Sequence, residues 1–252
     1  MKKSCVIITL ATGKYIQLFE DFYLSCKENF LPEFQKHFIV MTDQTFNEDD
    51  DITVLQVPDL EWPKNVLHTY HHILSCQRKV LRFPYVFYMD VDMRPVDKVE
   101  EDILPDQNKP FVGVAHPGYF MNQTPEFPYG TPEENNKSQA YYNPEILKPN
   151  CYYAGAFQGG LSSEFLSACH SISMAIDIDF INNITAIYHD ESHWNKFLAT
   201  YKDSVRNLAP LYCFPENAVS NYGLDPKIIT LAKSYDWTEP ERLKTYVPSL
   251  WG

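Results

Sequence analysis

Tyr85-Val-Phe-Tyr-Met-Asp-Val-Asp92 is the stretch from which the fold can be read. Five consecutive apolar or aromatic residues without polar alternation mark a strand covered on both faces. The run follows Pro84 and stops abruptly at two aspartates that flank one valine. Working outward, short apolar runs at residues 5–10, 37–41 and 52–57 read as further strands. Between them, Tyr15, Leu18, Phe19, Phe22, Tyr23, Cys26 and Phe30 recur at helical spacing until Pro32. Asn65 is the candidate cap of a helix reaching about residue 83. Strands alternating with helices predict an α/β fold on a mainly parallel sheet, with ligands bound beyond the carboxyl ends of its strands. The aspartate pair stands at such an end.

The second half is less regular. Residues 111–115 read as a strand, residues 121–150 as a long loop rich in Pro, Asn and Glu, and residues 152–157 as an apolar run leading into Gly159-Gly160. Ser162 or Ser163 is placed to cap a helix reaching about residue 176, residues 189–201 read as another helix, and residues 228–231 as a late strand. No linker divides the chain, so a single domain over residues 1–252 is expected.

Composition narrows the function. With 21 basic against 33 acidic residues the net charge is −12, which disfavours a nucleic-acid partner. An acidic protein that handles an anionic substrate needs a metal ion or a few placed cations. The apolar run after Lys2-Lys3 is too short for a signal peptide or a membrane span. The six cysteines are scattered without paired spacing, as in a reduced, cytoplasmic protein.

Two constellations carry chemistry. Asp90 and Asp92 repel each other unless a cation lies between them, and oxygen-only ligands suit Mn²⁺ or Mg²⁺; the bland alternative is a polar turn ending a strand. His189-Asp-Glu-Ser-His193 admits three readings on spacing alone. The histidines at i and i+4 fit a zinc site, the acidic pair fits the first turn of a helix, and Asp190 with Glu191 fits active carboxylates beside a sugar. Tyr15 is placed either to stack on a flat ring or to pack in the core. His116 fits a turn or a ligand contact.

In order along the chain stand Ala11-Thr-Gly-Lys-Tyr15, Tyr88-Met-Asp-Val-Asp-Met93, His116-Pro-Gly-Tyr119, Ser138-Gln-Ala-Tyr141, Tyr152-Tyr-Ala-Gly-Ala-Phe157 with Gly159-Gly160, and the His189–His193 run with Asn195-Lys196. Together they resemble glycosyltransferase family 6, the family of the histo-blood-group A and B transferases and the α1,3-galactosyltransferase. The small size is similar to its soluble bacterial and phage members. The resemblance implies a single-domain type-A (GT-A) glycosyltransferase fold, with a Rossmann-like sheet, and retaining transfer from UDP-GalNAc or UDP-galactose to a β-galactoside-type oligosaccharide acceptor.

By motif, the resemblance places Leu10, Thr12 and Tyr15 at the uracil. It places Asp90 and Asp92, with Val91 between them, at a Mn²⁺ ion and the diphosphate. Ala154, Gly155 and Ala156 fall at the donor sugar, together with Asp190. Lys233 falls over the diphosphate, His116, Tyr188 and Glu216 at the acceptor, and Glu191 at the reacting carbon as nucleophile or stabiliser. Three departures stand out. Thr69, with His68 and His71 nearby, replaces a family Arg. Pro128-Tyr-Gly-Thr-Pro-Glu133 replaces an acceptor segment, and Pro215-Glu216 replaces an acceptor Asp. The rival readings are another retaining GT-A transferase of the family 8 type, a sugar-binding homologue without turnover, and a zinc hydrolase.

Overall fold

The computed structural model describes residues 3–45, 49–121, 132–218 and 225–232. The first half builds β1 (Ser4–Leu10), α1 (Phe19–Asn29), β2 (Gln35–Thr42) and β3 (Ile52–Gln56). After these come the short helices α2 (Lys64–Leu67), α3 (Thr69–Ser75) and α4 (Gln77–Val80), then β4 (Tyr85–Met89) and β5 (Met93–Pro95). The second half adds β6 (Phe111–Ala115), α5 (Pro117–Met121), α6 (Pro144–Leu147), β7 (Tyr153–Leu161), α7 (Ser162–Ile181), α8 (His189–Thr200), β8 (Val205–Leu208), β9 (Phe214–Pro215) and β10 (Ile228–Thr230).

Among the described residues the main sheet has seven strands in the order β3-β2-β1-β4-β7-β6-β8. All neighbours run parallel except β7, which is antiparallel to both β4 and β6. The sheet is therefore mostly parallel, as the alternation predicts, and β7 is the exception. An apolar run reads the same in either direction, so sequence pattern is blind to this reversal. A small second sheet, β5-β10-β9, packs where the chain leaves Asp92.

β4 lies in the middle of the main sheet, with Val86, Phe87, Tyr88 and Met89 all buried, which is why its run is unbroken. Side chains from opposite faces of the sheet feed two apolar clusters. Ile7, Phe22, Phe30 and Phe87 lie in one with α1, and Val6, Tyr70, Phe165 and Trp194 in the other with α3, α7 and α8.

Local differences from the expectations have physical causes. Tyr15 falls in a 3₁₀ segment, Gly13–Leu18, and the α-helix begins only at Phe19. The helix expected from Asn65 is broken into three pieces along a stretch that holds three histidines and the β-branched Val66, Thr69 and Ile73, all weak helix formers. Asn65 sits inside α2 and bonds Thr12 and Asp59 instead of capping. Ser162 begins α7 after Leu161 without a side-chain cap, and α7 continues to Ile181. All six cysteines are unpaired thiols, five of them buried.

Glycines make close sheet contacts possible. A Cβ on Gly159 of β7 would lie 2.7 Å from Phe87 Cδ1 and 2.9 Å from the Val86 carbonyl oxygen. Gly159→Ala is therefore expected to cost about 1–3 kcal/mol, because the clash includes backbone that cannot swing away. Urea melts of the two proteins test this, and parent-like stability would show that the sheet can open at this point.

Candidate active site

The turn after β4 is built around Arg94. Its buried guanidinium donates to the carbonyls of Val91 (2.8 Å), Met93 (2.7 Å) and Leu18 (2.8 Å). Those bonds hold Asp90-Val-Asp92 at the carboxyl edge of the sheet. Asp92 is only 2% exposed, and the Tyr88 hydroxyl donates to Asp90 Oδ1 at 3.0 Å. Sequence reading missed Arg94, although its place two residues after the aspartates is the available signal.

A cleft of about 360 Å³ opens at this edge, lined by Leu10, Thr12, Tyr15, Trp62, Asn65, Val66, Tyr88, Asp90, Val91 and Asp92. Six residues expected at the donor, from Leu10 to Asp92, thus share one cavity. Trp62, Asn65, Val66 and Tyr88 are additions. Trp62 is 73% exposed, and its ring meets that of His189 edge-on at 4.5 Å, so it stands between the cleft and the start of α8.

α8 supplies the acidic pair. Burial, then Asp90, then Glu191 drive the Asp190 carboxyl well above its ordinary range. Glu191 is pushed up to about 7, chiefly by burial and further by Asp90, while the Gly155 N–H and the Tyr152 hydroxyl pull it down. Gly155 N–H donates to Glu191 Oε2 at 2.7 Å. A Cβ on Gly155 would lie 2.9 Å from the Glu191 Cβ. The space beside Gly155 is therefore filled by Glu191. Its neighbours in β7 differ: Ala154 is buried in the core, and Ala156 is half-buried with its carbonyl accepting from Asp90 N–H at 2.9 Å.

The residues expected at the acceptor are gathered by aromatic contacts. The Tyr119 hydroxyl donates to that of Tyr188 at 3.1 Å, and the Tyr152 ring meets those of His116, Tyr119 and Tyr188 at 6.0, 4.8 and 6.2 Å. Burial lowers the His116 ring to about 4 and keeps it neutral, with Nδ1 accepting from Gly118 N–H. Glu216 lies apart from this wall and accepts from Ala232 N–H at 3.1 Å, next to Leu231, whose N–H reaches the Asp92 carbonyl. Lys233 and residues 128–131 lie outside the described residues.

The two histidines of the 189–193 run take separate partners. His189 meets Trp62, and buried His193 lies 3.5 Å from Asp179 Oδ2. Among the described residues no three His, Cys, Asp or Glu side chains gather into a metal site. Thr69 is buried behind Tyr88; His68 bonds the Lys64 carbonyl and His71 bonds Asp177.

Donor-cleft residues, a half-buried carboxylate pair and an aromatic wall thus meet at one sheet edge. Compared with known proteins, residues 2–238 match the model of glycosyltransferase family 6. The chain belongs to glycosyltransferase family 6. It is 31% identical over 229 residues to the O-antigen biosynthesis glycosyltransferase WbnI of Escherichia coli, covering 88% of this chain and 92% of that one. It is 30% identical over 223 residues to the histo-blood group ABO system transferase 1 of Rattus norvegicus. It is 27% identical over 232 residues to the globoside alpha-1,3-N-acetylgalactosaminyltransferase 1 of Gallus gallus. Each of these two alignments covers 83% of this chain but only 60% and 61% of the relative's length. A family 6 glycosyltransferase takes a sugar donor and an acceptor, which fits the cleft. No helix among the described residues is long and apolar enough to cross a membrane.

Glu191 gives a test that is independent of substrate. Between its ordinary range and about 7, the unfolded carboxyl is ionised while the folded one keeps its proton. The folded state then binds more protons, so this group's contribution to stability falls as pH rises through that window. Glu191→Gln should therefore stabilise the fold at pH 8 by on the order of 2–3 kcal/mol more than at pH 5. Denaturant melts at both pH values measure it, and an equal effect at both would contradict the assigned cause.

Proposed function

We propose that this family 6 transferase moves GalNAc or galactose from its UDP-sugar to a β-galactoside-type acceptor, forming an α1,3 linkage with retention of configuration. The observation that carries the reading is the cleft shared by Tyr15 and the Asp90–Asp92 turn, next to the half-buried Asp190–Glu191 pair. Tyr15 is suited to stack on uracil, with Leu10 and Thr12 beside it. Four carboxylates in an acidic protein repel a diphosphate, and the donor set of Asp90 and Asp92 fits Mn²⁺ or Mg²⁺, leaving positions for phosphate oxygens. When bound, such an ion supplies charge neutralisation to the leaving diphosphate.

In this reading Asp190 binds the donor sugar. Glu191 acts at the anomeric carbon, as nucleophile or by stabilising its developing positive charge. Low-dielectric surroundings strengthen that attraction and also account for its raised proton affinity. His116 and Tyr188 belong to the aromatic wall on the acceptor side. Lys233 and Glu216 are assigned from the family pattern to the diphosphate and the acceptor.

Metal dependence follows from the two aspartates. Activity should vanish in EDTA and return with Mn²⁺, and Asp92→Asn should lose at least ~10²-fold in turnover. Full activity in chelator would overturn the assignment. UDP release that never exceeds background with any UDP-sugar would favour the sugar-binding alternative.

The donor reading favours UDP-GalNAc. Ala156 is small and half-buried beside Asp90, whereas Ala154 is in the core and Gly155 is covered by Glu191. Ala156, the one of the three left partly exposed, is therefore the position to which this reading assigns room for an acetamido group. A group of methyl size changes binding by only ~1–3 kcal/mol, so some use of the smaller sugar is expected. The ratio of kcat/KM for the two donors with N-acetyllactosamine decides it. A tenfold preference for UDP-galactose would overturn the choice, and Ala156→Leu should penalise UDP-GalNAc more than UDP-galactose.

A further inference from the structure

The strand ladder between β4 and β7 ends at Met89 and Phe157, followed by one bond from Asp90 N–H to the Ala156 carbonyl. Past that point, two side chains of α8 serve backbone groups of β7. Asn195 accepts from Tyr153 N–H at 2.8 Å and donates to the Tyr153 carbonyl at 2.8 Å. Glu191, one helical turn earlier, accepts from Gly155 N–H at 2.7 Å. The amide of Asn195 also donates to the Glu191 carbonyl at 2.9 Å. One buried amide thus ties the backbone of Glu191 to the strand whose next-but-one residue holds its carboxylate.

We propose that Asn195 is a positioning residue for sugar transfer, fixing the depth and rotation of the first turn of α8 so that the Glu191 carboxylate stays at the β7 edge. The inference rests on the reading of Glu191 as the active carboxylate. Only an amide meets the geometry, because one acceptor and two donations are needed from one short side chain. An aspartate has the same shape but would set an oxygen against two carbonyl oxygens. An alanine would strand the Tyr153 groups in a buried place. Asn195 is not among the residues lining the cleft, so its loss should spare donor binding. Gly155 makes the fit exacting, since its missing Cβ is the space that Glu191 occupies.

The experiment compares Asn195→Asp, Asn195→Ala and Glu191→Gln with the parent, using N-acetyllactosamine and whichever of UDP-GalNAc and UDP-galactose the parent turns over faster. Both Asn195 variants should lose on the order of 10²-fold in kcat, the cost of misplacing a reacting group by about 1 Å, with donor KM within threefold of the parent. Circular dichroism and melting curves accompany the kinetics. Parent-like kcat in either variant overturns the proposal, as does a rise in donor KM at unchanged kcat. Loss of the folded state in both makes Asn195 a structural residue and also overturns it. Parent-like turnover in Glu191→Gln instead removes the reading on which the inference rests, so the two failures are separable.

Discussion

Buried backbone must have hydrogen-bond partners, and the site depends on how that rule is met where β4 ends. A central strand that stops short leaves its neighbour with unmatched N–H and C=O groups. Here the shortfall is made up by side chains: Asn195 and Glu191 from α8, and Gln158, whose amide donates to the Gly155 carbonyl while its oxygen accepts from Tyr70. Stopping β4 frees the Asp90–Asp92 turn to face the cleft, and covering β7 brings the acidic turn of α8 against it. The same structural gap therefore draws both pairs of carboxylates together.

Bringing them together has an electrostatic cost. Loss of solvent raises the proton affinity of Asp190 and Glu191, and Asp90 raises both further. Native structures carry such strain where it serves a function. Arg94 donates to three carbonyls and serves the shape of the turn. A divalent cation bound by Asp90 and Asp92 would lower the repulsion and make room for a diphosphate, the role proposed above.

Much of this was legible in the sequence because it depends on local pattern. β4 and β6 have the bounds read from their apolar runs, and α8 begins at His189 as spacing predicts. Leu10, Thr12, Tyr15 and the aspartate turn share a cleft because parallel strands present their carboxyl ends together. What escaped depends on distant partners. The reversal of β7 leaves no mark on an apolar run. Trp62 carries no sequence signal of a role, and only the fold sets His189 against it. Asn195 looks like any polar helix residue until Tyr153, 42 residues earlier, takes both ends of its amide. Gly155 falls at the donor sugar by resemblance, and only the fold shows that its bare Cα accommodates the Glu191 side chain.

That last difference alters how selectivity at this site should be understood. If Gly155 left open space, a larger residue there would test the size of the sugar. Because Glu191 fills the space, a larger residue would move the carboxylate itself and damage transfer of every donor alike. Ala154, inside the core, would answer with overpacking. Of the three small residues, Ala156 alone stands both half-buried and joined through its backbone to Asp90, so in the proposed reading enlarging it perturbs the Asp90 edge of the cleft without displacing Glu191. Ala154 and Ala156, two residues apart, both pack toward the core cluster that includes α1, while Gly155 between them meets α8, because alternate side chains of a strand face opposite ways.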